Sequence, residues 1–296
     1  MTIQDRSRGS GFKFQDRLFL IYLNIQETKP GGNMTSEENS ADQVLTEVKD
    51  GIAKITMNRP QRLNSISIDS LELLIQVMQN VLENSEVKVV VLTGKGSAFC
   101  AGADQGEMVM RKPGEWEWIV DRYLDPIRLI AKSDKPVIAS INGDAVGGGL
   151  GLAIACDLRI AVDTARFCTP FTAIGLAGCD MSAGYFLPRL VGLGKATEMM
   201  MTSRFVKAEE AEKIGLVQRL VAAEDLEKET MKLAGRLAAL SSIALGWTKK
   251  AVHRSLDRDM EAEFDFEVFA QVQCLQTEEH RESLRRYQET MMGKKA

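Results

Sequence analysis

The segment that most restricts the fold runs from residue 136 to residue 150. Pro136-Val-Ile-Ala-Ser-Ile141 is an apolar run of strand length. Asn142-Gly-Asp-Ala-Val146 follows, then Gly147, Gly148 and Gly149, and then a stretch of small residues with helical character. Passing from strand to helix through three glycines removes every side chain at the junction. The N–H groups of the first helical turn are left without partners at the positive end of the helix. Such a junction suits a polarised or anionic oxygen. Close packing of two backbones, or a flexible turn, uses the same residues.

The rest of the chain shows strands and helices in alternation. Val44-Leu-Thr-Glu-Val48 and Ile52-Ala-Lys-Ile-Thr-Met57 have strand character, and Lys49-Asp-Gly51 between them is a hairpin signal. Leu71, Leu74, Ile75, Met78, Val81 and Leu82 keep the spacing of one helical face, with Ser67 as N-cap and Asp69 in the first turn. Val87-Lys-Val-Val-Val-Leu-Thr93 reads as a buried strand. Residues 116 to 132 read as one helix and Asp157-Leu-Arg-Ile-Ala161 as a further strand, with mainly helical patterning beyond about residue 183. This order predicts an α/β core followed by a helical tail.

The totals exclude several classes. A net charge of −4 argues against a nucleic-acid binder, which needs clustered Lys and Arg. Five scattered cysteines with no Cys-x-x-Cys pair suit a reducing compartment and offer neither a disulfide framework nor a zinc site. The two histidines, His253 and His280, both come late, so Ser-His or Cys-His catalysis is short of its base. No run approaches the ~20 apolar residues of a membrane helix. Near the start, Leu18-Phe-Leu-Ile-Tyr-Leu23 is too short for a good signal core and has no small-residue cleavage site after it. Asp5 and Asp16 count against a transit peptide. A cytoplasmic protein is expected, with residues 1–42 a flexible leader and Met34 a possible natural start.

A second segment of small residues, Ser97-Ala-Phe-Cys-Ala-Gly-Ala-Asp104, follows the strand that ends at Thr93. Alone it is a loop. Together and in order, Ile55-Thr-Met-Asn-Arg-Pro60 with Asn64, Val91-Leu-Thr-Gly94, Phe99-Cys-Ala-Gly-Ala-Asp104, Asn142-Gly143, Gly147-Gly-Gly149 and Cys156-Asp157 resemble the crotonase superfamily, the enoyl-CoA hydratase/isomerases. Pro188-Arg-Leu-Val-Gly192, Ala208-Glu-Glu-Ala211, Gly215-Leu-Val217 and Gln276-Thr-Glu-Glu-His280 extend the resemblance over roughly residues 44 to 287.

The resemblance implies a crotonase-like spiral of β-β-α turns over 43–233 and a C-terminal helical region over 234–296 that packs between subunits in trimers or dimers of trimers. It implies an acyl-CoA substrate, with coenzyme A as part of that substrate and no separate cofactor, while the acidic balance and the lack of a membrane-length apolar run argue against nucleic acid and membrane as partners. It also implies that the N–H groups of Ala103 and Gly148 form an oxyanion hole holding the thioester oxygen while charge develops on it. One such donor is worth ~3 kcal/mol in other enzymes. Ala101, Ala103 and Asp104 would lie against the coenzyme thioester, and Arg62 near its nucleotide end. Lys249, Lys250, Lys294 and Lys295 are further options for that end, although a solvated surface position suits each of them.

The chain departs from the family pattern at the reacting centre. Hydratases of the family place two glutamates around one water, and the matching positions here are Gly151 and Phe171. A substitute is Asp180. Allowing one inserted residue in Leu176-Ala-Gly-Cys179, it falls where dienoyl-CoA isomerases carry a catalytic aspartate. Cys179, Met181, Ala183 and Phe186 around it would raise its pKa. A helix beginning near Ser182 would instead use Asp180 as its cap. Asp104 is expected to fix its loop rather than move protons. Asp144 and Glu107 are expected to be exposed charges. Trp116, Trp118 and Tyr123 would line an acyl pocket or simply pack. An enoyl-CoA double-bond isomerase is the leading expectation. An enoyl-CoA hydratase with a relocated acid/base and a catalytically silent acyl-CoA-binding protein are the alternatives.

Overall fold

The computed structural model describes residues 43–107 and 111–293. The leader, Met34, Lys294 and Lys295 therefore lie outside the described residues. Strands β1 (Val44–Lys49) and β2 (Ile52–Met57) pair antiparallel across a turn in which Asp50 and Gly51 both have positive φ. Helix α1 (Ile68–Glu83) follows, and the Ser67 side chain accepts from the N–H of Ser70, as expected of an N-cap.

Three successive strand pairs then build two sheets at once. Strands β3 (Val89–Gly94), β5 (Val137–Ile141) and β7 (Leu158–Val162) join the large sheet, in the order β1-β2-β3-β5-β7 followed by β10 (Arg219–Val221). Each is followed closely by a three-residue strand, β4 (Ala98–Cys100), β6 (Asp144–Val146) or β8 (Arg166–Cys168). With β9 (Val206–Lys207) these form a second sheet in the order β4-β6-β8-β9. All neighbours from β2 through β10 in the large sheet, and β4-β6-β8 in the small one, are parallel. This is the expected spiral of β-β-α turns.

The inner strands β3, β5 and β7 of the large sheet are buried on both faces, which explains their near-continuous apolar sequences. Ile55, Val90, Leu92, Ala139 and Ile141 face the main core with α1, whereas Ile52, Val89, Val91 and Ile138 face Ala234 and Leu237. The latter two sit on α8 (Leu226–Ala238), which crosses residue 233 without a break and joins the spiral to the helical region. The single helix expected over 116–132 is two, α2 (Pro113–Tyr123) and α3 (Asp125–Lys132). Pro126 sits in the first turn of α3, where its missing N–H costs nothing, and it divides the run. Between α3 and α8 in chain order come α4 (Gly148–Ala155), α5 (Ala183–Val191), α6 (Leu193–Thr202) and α7 (Ala208–Lys213). The chain ends in α9 (Ser242–Arg254), α10 (Met260–Leu275) and α11 (Glu278–Gly293). Helix α10 leaves Phe264, Val268, Phe269 and Val272 exposed, on the helices expected to pack between subunits. No helix among the described residues is long and apolar enough to cross a membrane.

Helix α9 is pinned to the spiral by charge. Lys249 is buried, and its Nζ lies 2.8 Å from Asp157 Oδ2 and donates to the carbonyls of Ile130 and Lys135. His253 Nε2 lies 2.8 Å from Asp157 Oδ1. Lys249 is thus neither a surface residue nor available to a ligand, contrary to the expectation above. Burial opposes ionisation of Asp157, but the His253 bond, the Lys249 ammonium and the Val137 N–H together hold its pKa below the ordinary aspartate value. The stability this provides is present above the ordinary aspartate pKa and is lost as pH falls through the lowered one. Lys249→Met should cost about 3 kcal/mol, the usual scale for stripping one partner from a buried pair. Urea unfolding at neutral pH measures this, and a loss below ~1 kcal/mol would show that the pair contributes little.

Candidate active site

The glycine junction sits where β6 meets α4. Gly147 has φ +55°, and its N–H bonds Cys168 O at 2.9 Å in the neighbouring strand. The next N–H, that of Gly148, opens the helix and has no acceptor among the described residues. Such first-turn donors are orphaned by helix geometry and carry the positive end of the helix dipole. Close packing, the alternative use of these glycines, is present as well. A Cβ on Gly149 would lie 2.0 Å from Cys100 O, so β4 runs directly against the start of α4.

The second segment is held on its other side. Ala101 N–H bonds Leu63 O, Gly102 O accepts from Ile66 N–H, and Asp104 N–H bonds Ile66 O, at 2.8 to 3.0 Å. Within one trans peptide unit the C=O and the N–H point in opposite directions. With Gly102 O turned towards Ile66, the N–H of Ala103 in the same peptide unit faces away from residues 63–66. It has no acceptor among the described residues. Gly102 sits beside the helix start, since a Cβ there would fall 3.0 Å from Gly148 N. Ala103 and Gly148 both line one cleft. Two unpaired donors therefore converge on a single space.

Ile68, Trp116, Ile119, Phe171, Leu176 and Met181 make the cleft walls predominantly apolar. Trp116 and Tyr123 take the lining positions open to them, while Trp118 is exposed and plays no part. Tyr123 is buried, and its hydroxyl donates to Ile66 O at 2.8 Å. Burial, and then the charges of Glu107 and Asp104, hold its phenol well above the usual range, so it acts as a neutral donor.

Asp180 lines the same cleft from the turn before α5. Its Oδ1 accepts from Met181 N–H at 2.7 Å, and Ser182 holds the N-cap position of α5 without a side-chain capping bond. Asp180 is therefore not the cap of α5. Burial raises its pKa, and the Met181 N–H only partly offsets that effect. Met181 and Ser182 both have positive φ, 49° and 64°, a costly conformation for side chains of this kind.

That turn also closes the position of the first missing glutamate. A Cβ on Gly151 would lie 2.5 Å from the carbonyl oxygen of Met181, so no side chain fits there without moving backbone. Phe171, at the second position, is buried and lines the cleft.

Glu107 and Asp144 are not exposed charges. Glu107 lines the cleft, and its Oε2 accepts from Ile68 N–H at the start of α1 at 2.7 Å. Asp144 pairs with Arg166 at 2.5 Å. Glu107 was hidden from sequence reasoning because a carboxylate in a polar loop gives no sign of which way it points. Asp104 is buried, with one oxygen on Gly106 N–H and the other on Ser65 Oγ and Arg59, which keeps its loop in place. Arg62 is exposed on the Pro60–Arg62 turn and does not line the cleft. Lys250 pairs with Asp134 and lies over the Trp247 ring.

Comparison with known proteins agrees with this geometry. The family model described as enoyl-CoA hydratase/isomerase matches residues 47–294. The chain is 40% identical over 258 residues to the putative enoyl-CoA hydratase/isomerase YngF of Bacillus subtilis, covering 84% of this chain and 96% of that one. It is 33% identical over 244 residues to a short-chain-enoyl-CoA hydratase of Clostridium acetobutylicum, covering 82% and 93%. Among solved structures, a probable enoyl-CoA hydratase/isomerase from Mycobacterium abscessus superimposes with a TM-score of 0.78 at 33% identity, over 84% of this chain and 96% of that one.

Proposed function

Because this chain belongs to the enoyl-CoA hydratase/isomerase family, of the crotonase type, we propose that it moves a carbon–carbon double bond next to the thioester of an enoyl-CoA. The observation that carries this reading is the acid/base content of the cleft. Asp180 stands among apolar walls beside two convergent N–H donors, and the backbone of Met181 occupies the place of a first glutamate. A proton shuttle between carbons needs one carboxylate and no positioned water.

In a 3-enoyl-CoA, ionised Asp180 takes a proton from the carbon next to the thioester. The electron pair of that C–H bond passes into the conjugated system, and negative charge gathers on the thioester oxygen. The N–H groups of Ala103 and Gly148 stabilise that oxygen most when it is most charged, so they lower the barrier and not merely the energy of the bound substrate. Asp180, now protonated, returns the proton to the far carbon and regains its charge. The product is the conjugated 2-enoyl-CoA. The raised pKa of Asp180 makes it a better base when ionised. Ala101, Ala103 and Asp104 would border the thioester, and Arg62, lying outside the cleft, remains a candidate for the nucleotide end.

Glu107 supports a second reading. A second carboxylate lining the same cleft is what a hydratase with relocated acid and base requires. Incubation with 2-enoyl- and 3-enoyl-CoA in heavy-oxygen water separates the two. An isomerase interconverts them without label, whereas label in a hydroxyacyl product would establish hydration and overturn the isomerase reading. Binding without turnover of either substrate would leave the catalytically silent acyl-CoA-binding protein.

A further inference from the structure

We propose that Arg59 is a positioning residue for the oxyanion hole, aiming the N–H of Ala103 through a buried link to Ser65 and Asp104. The inference rests on the reading of Ala103 N–H as a donor to the thioester oxygen.

The donor loop and residues 63–66 form a short parallel ladder, centred on the bridge between Ile66 and Ala103. Its direction decides which way the Ala103 N–H points. A ladder of three hydrogen bonds between irregular segments is weak support for a group that must keep its aim. Arg59 fastens both sides of it. Its Nη1 donates to Ser65 O at 2.6 Å, on one strand, and its Nη2 lies 3.0 Å from Asp104 Oδ2, on the other. Both charged side chains are largely shielded from water, with 14% and 12% exposure, so solvent and salt weaken the pair little. The Ser65 hydroxyl donates to the same Asp104 oxygen at 3.2 Å and closes the link.

The segment that carries Arg59 is itself held under strain. Leu63 and Asn64 both have positive φ, 51° and 56°, which for leucine is unfavourable. The Asn64 side chain holds that turn, accepting from Arg59 N–H at 3.0 Å and donating to Lys95 O and Ala98 O at 2.9 and 2.7 Å. The turn brings Ser65 and Ile66 within reach of the donor loop. A planar guanidinium can serve two acceptors in fixed directions at once. A lysine ammonium reaches only one of them with the same geometry.

The test uses Arg59→Lys, Arg59→Met and Asp104→Asn in the full chain, alongside the natural protein. A chromophoric conjugated thioester such as 2,4-hexadienoyl-CoA serves as probe, because hydrogen bonds to its carbonyl shift its absorption to longer wavelength. The natural protein should shift the bound probe. Each variant should reduce the shift and lower kcat ~10- to 100-fold, since removing one oxyanion donor outright costs ~10²- to 10³-fold. KM should change less than about threefold, and combining Arg59→Met with Asp104→Asn should cost little more than either alone. If the natural protein turns over substrate but leaves the probe unshifted, the donor reading fails. If it shifts the probe and all three variants shift it equally with unchanged kcat, the positioning role of Arg59 is overturned. Unfolding of all three variants, measured by thermal melting, would equally overturn it, because the pair would then be a requirement of the fold.

Discussion

Asp180→Asn should lower turnover of a 3-enoyl-CoA by about 10³-fold, within the ~10²- to 10⁴-fold that a positioned acid/base contributes, while the affinity for acyl-CoA changes little. Asparagine has the same shape, and its side-chain oxygen still accepts the Met181 N–H that now holds Oδ1 at 2.7 Å. What is removed is the negative charge, and with it the ability to take up and return a proton. The same residue sets two pH effects. Activity needs the ionised form, so kcat/KM should fall as pH drops through a pKa above the ordinary aspartate value of 3.8, and Asp180→Asn should abolish that limb. Stability runs the other way. A carboxyl whose pKa is raised by burial costs nothing below its unfolded pKa, where it is neutral in both states. It destabilises the fold as pH rises through the folded value. Asp180→Asn should therefore raise the melting temperature at pH 7 and leave it unchanged well below pH 3.8. Residual turnover within tenfold of the natural protein would remove Asp180 from the proton-transfer role and move attention to Glu107.

Gly102→Ala should be nearly as damaging, for a steric reason. Gly102 has φ +90°, outside the range comfortable for any residue with a side chain, and a Cβ there would lie 2.9 Å from Val146 O and 3.0 Å from Gly148 N. The added methyl is a wedge between the two donor segments, and both obstructing atoms belong to backbone. We expect a loss of stability of about 1–3 kcal/mol from the strained conformation. Turnover should fall ~10²- to 10³-fold, as when an oxyanion donor is withdrawn. Gly148→Ala is the internal comparison. A Cβ there meets first the end of the Met181 side chain at 3.1 Å, which can swing aside, so the loss should be smaller. Thermal melts and kcat on both variants decide the matter, and equal damage from the two would rule out the wedge explanation.

How far the site was legible in the sequence differs from residue to residue. The N-cap Ser67, the hairpin at Asp50 and Gly51, and strands β1, β2, β3, β5 and β7 follow from local preferences and apolar runs, and the structure places them within a residue or two of expectation, whereas β10 falls where the pattern reads as mainly helical. The strands β4, β6 and β8 were not legible as strands. Each has three residues, and their pairing is between distant segments, which no local pattern records. Pro126 signals the division between α2 and α3, but the apolar spacing continues through it and masks the break.

By itself, the ordered set of short motifs determined the family, the spiral, and the two segments whose backbones supply Ala103 and Gly148. Those features depend on glycines and small residues at fixed positions, and absent side chains are visible in a sequence. It also showed that Gly151 and Phe171 carry no carboxylate. Only the tertiary structure decided that Gly151 has no room for one, because the obstruction is the Met181 carbonyl, brought there by a turn 30 residues away. Likewise, only folding placed Arg59 on Asp104, turned Glu107 into the cleft and buried Lys249 on Asp157. The direction and burial of a charged side chain are set by what packs around it, and that information is spread over the whole chain.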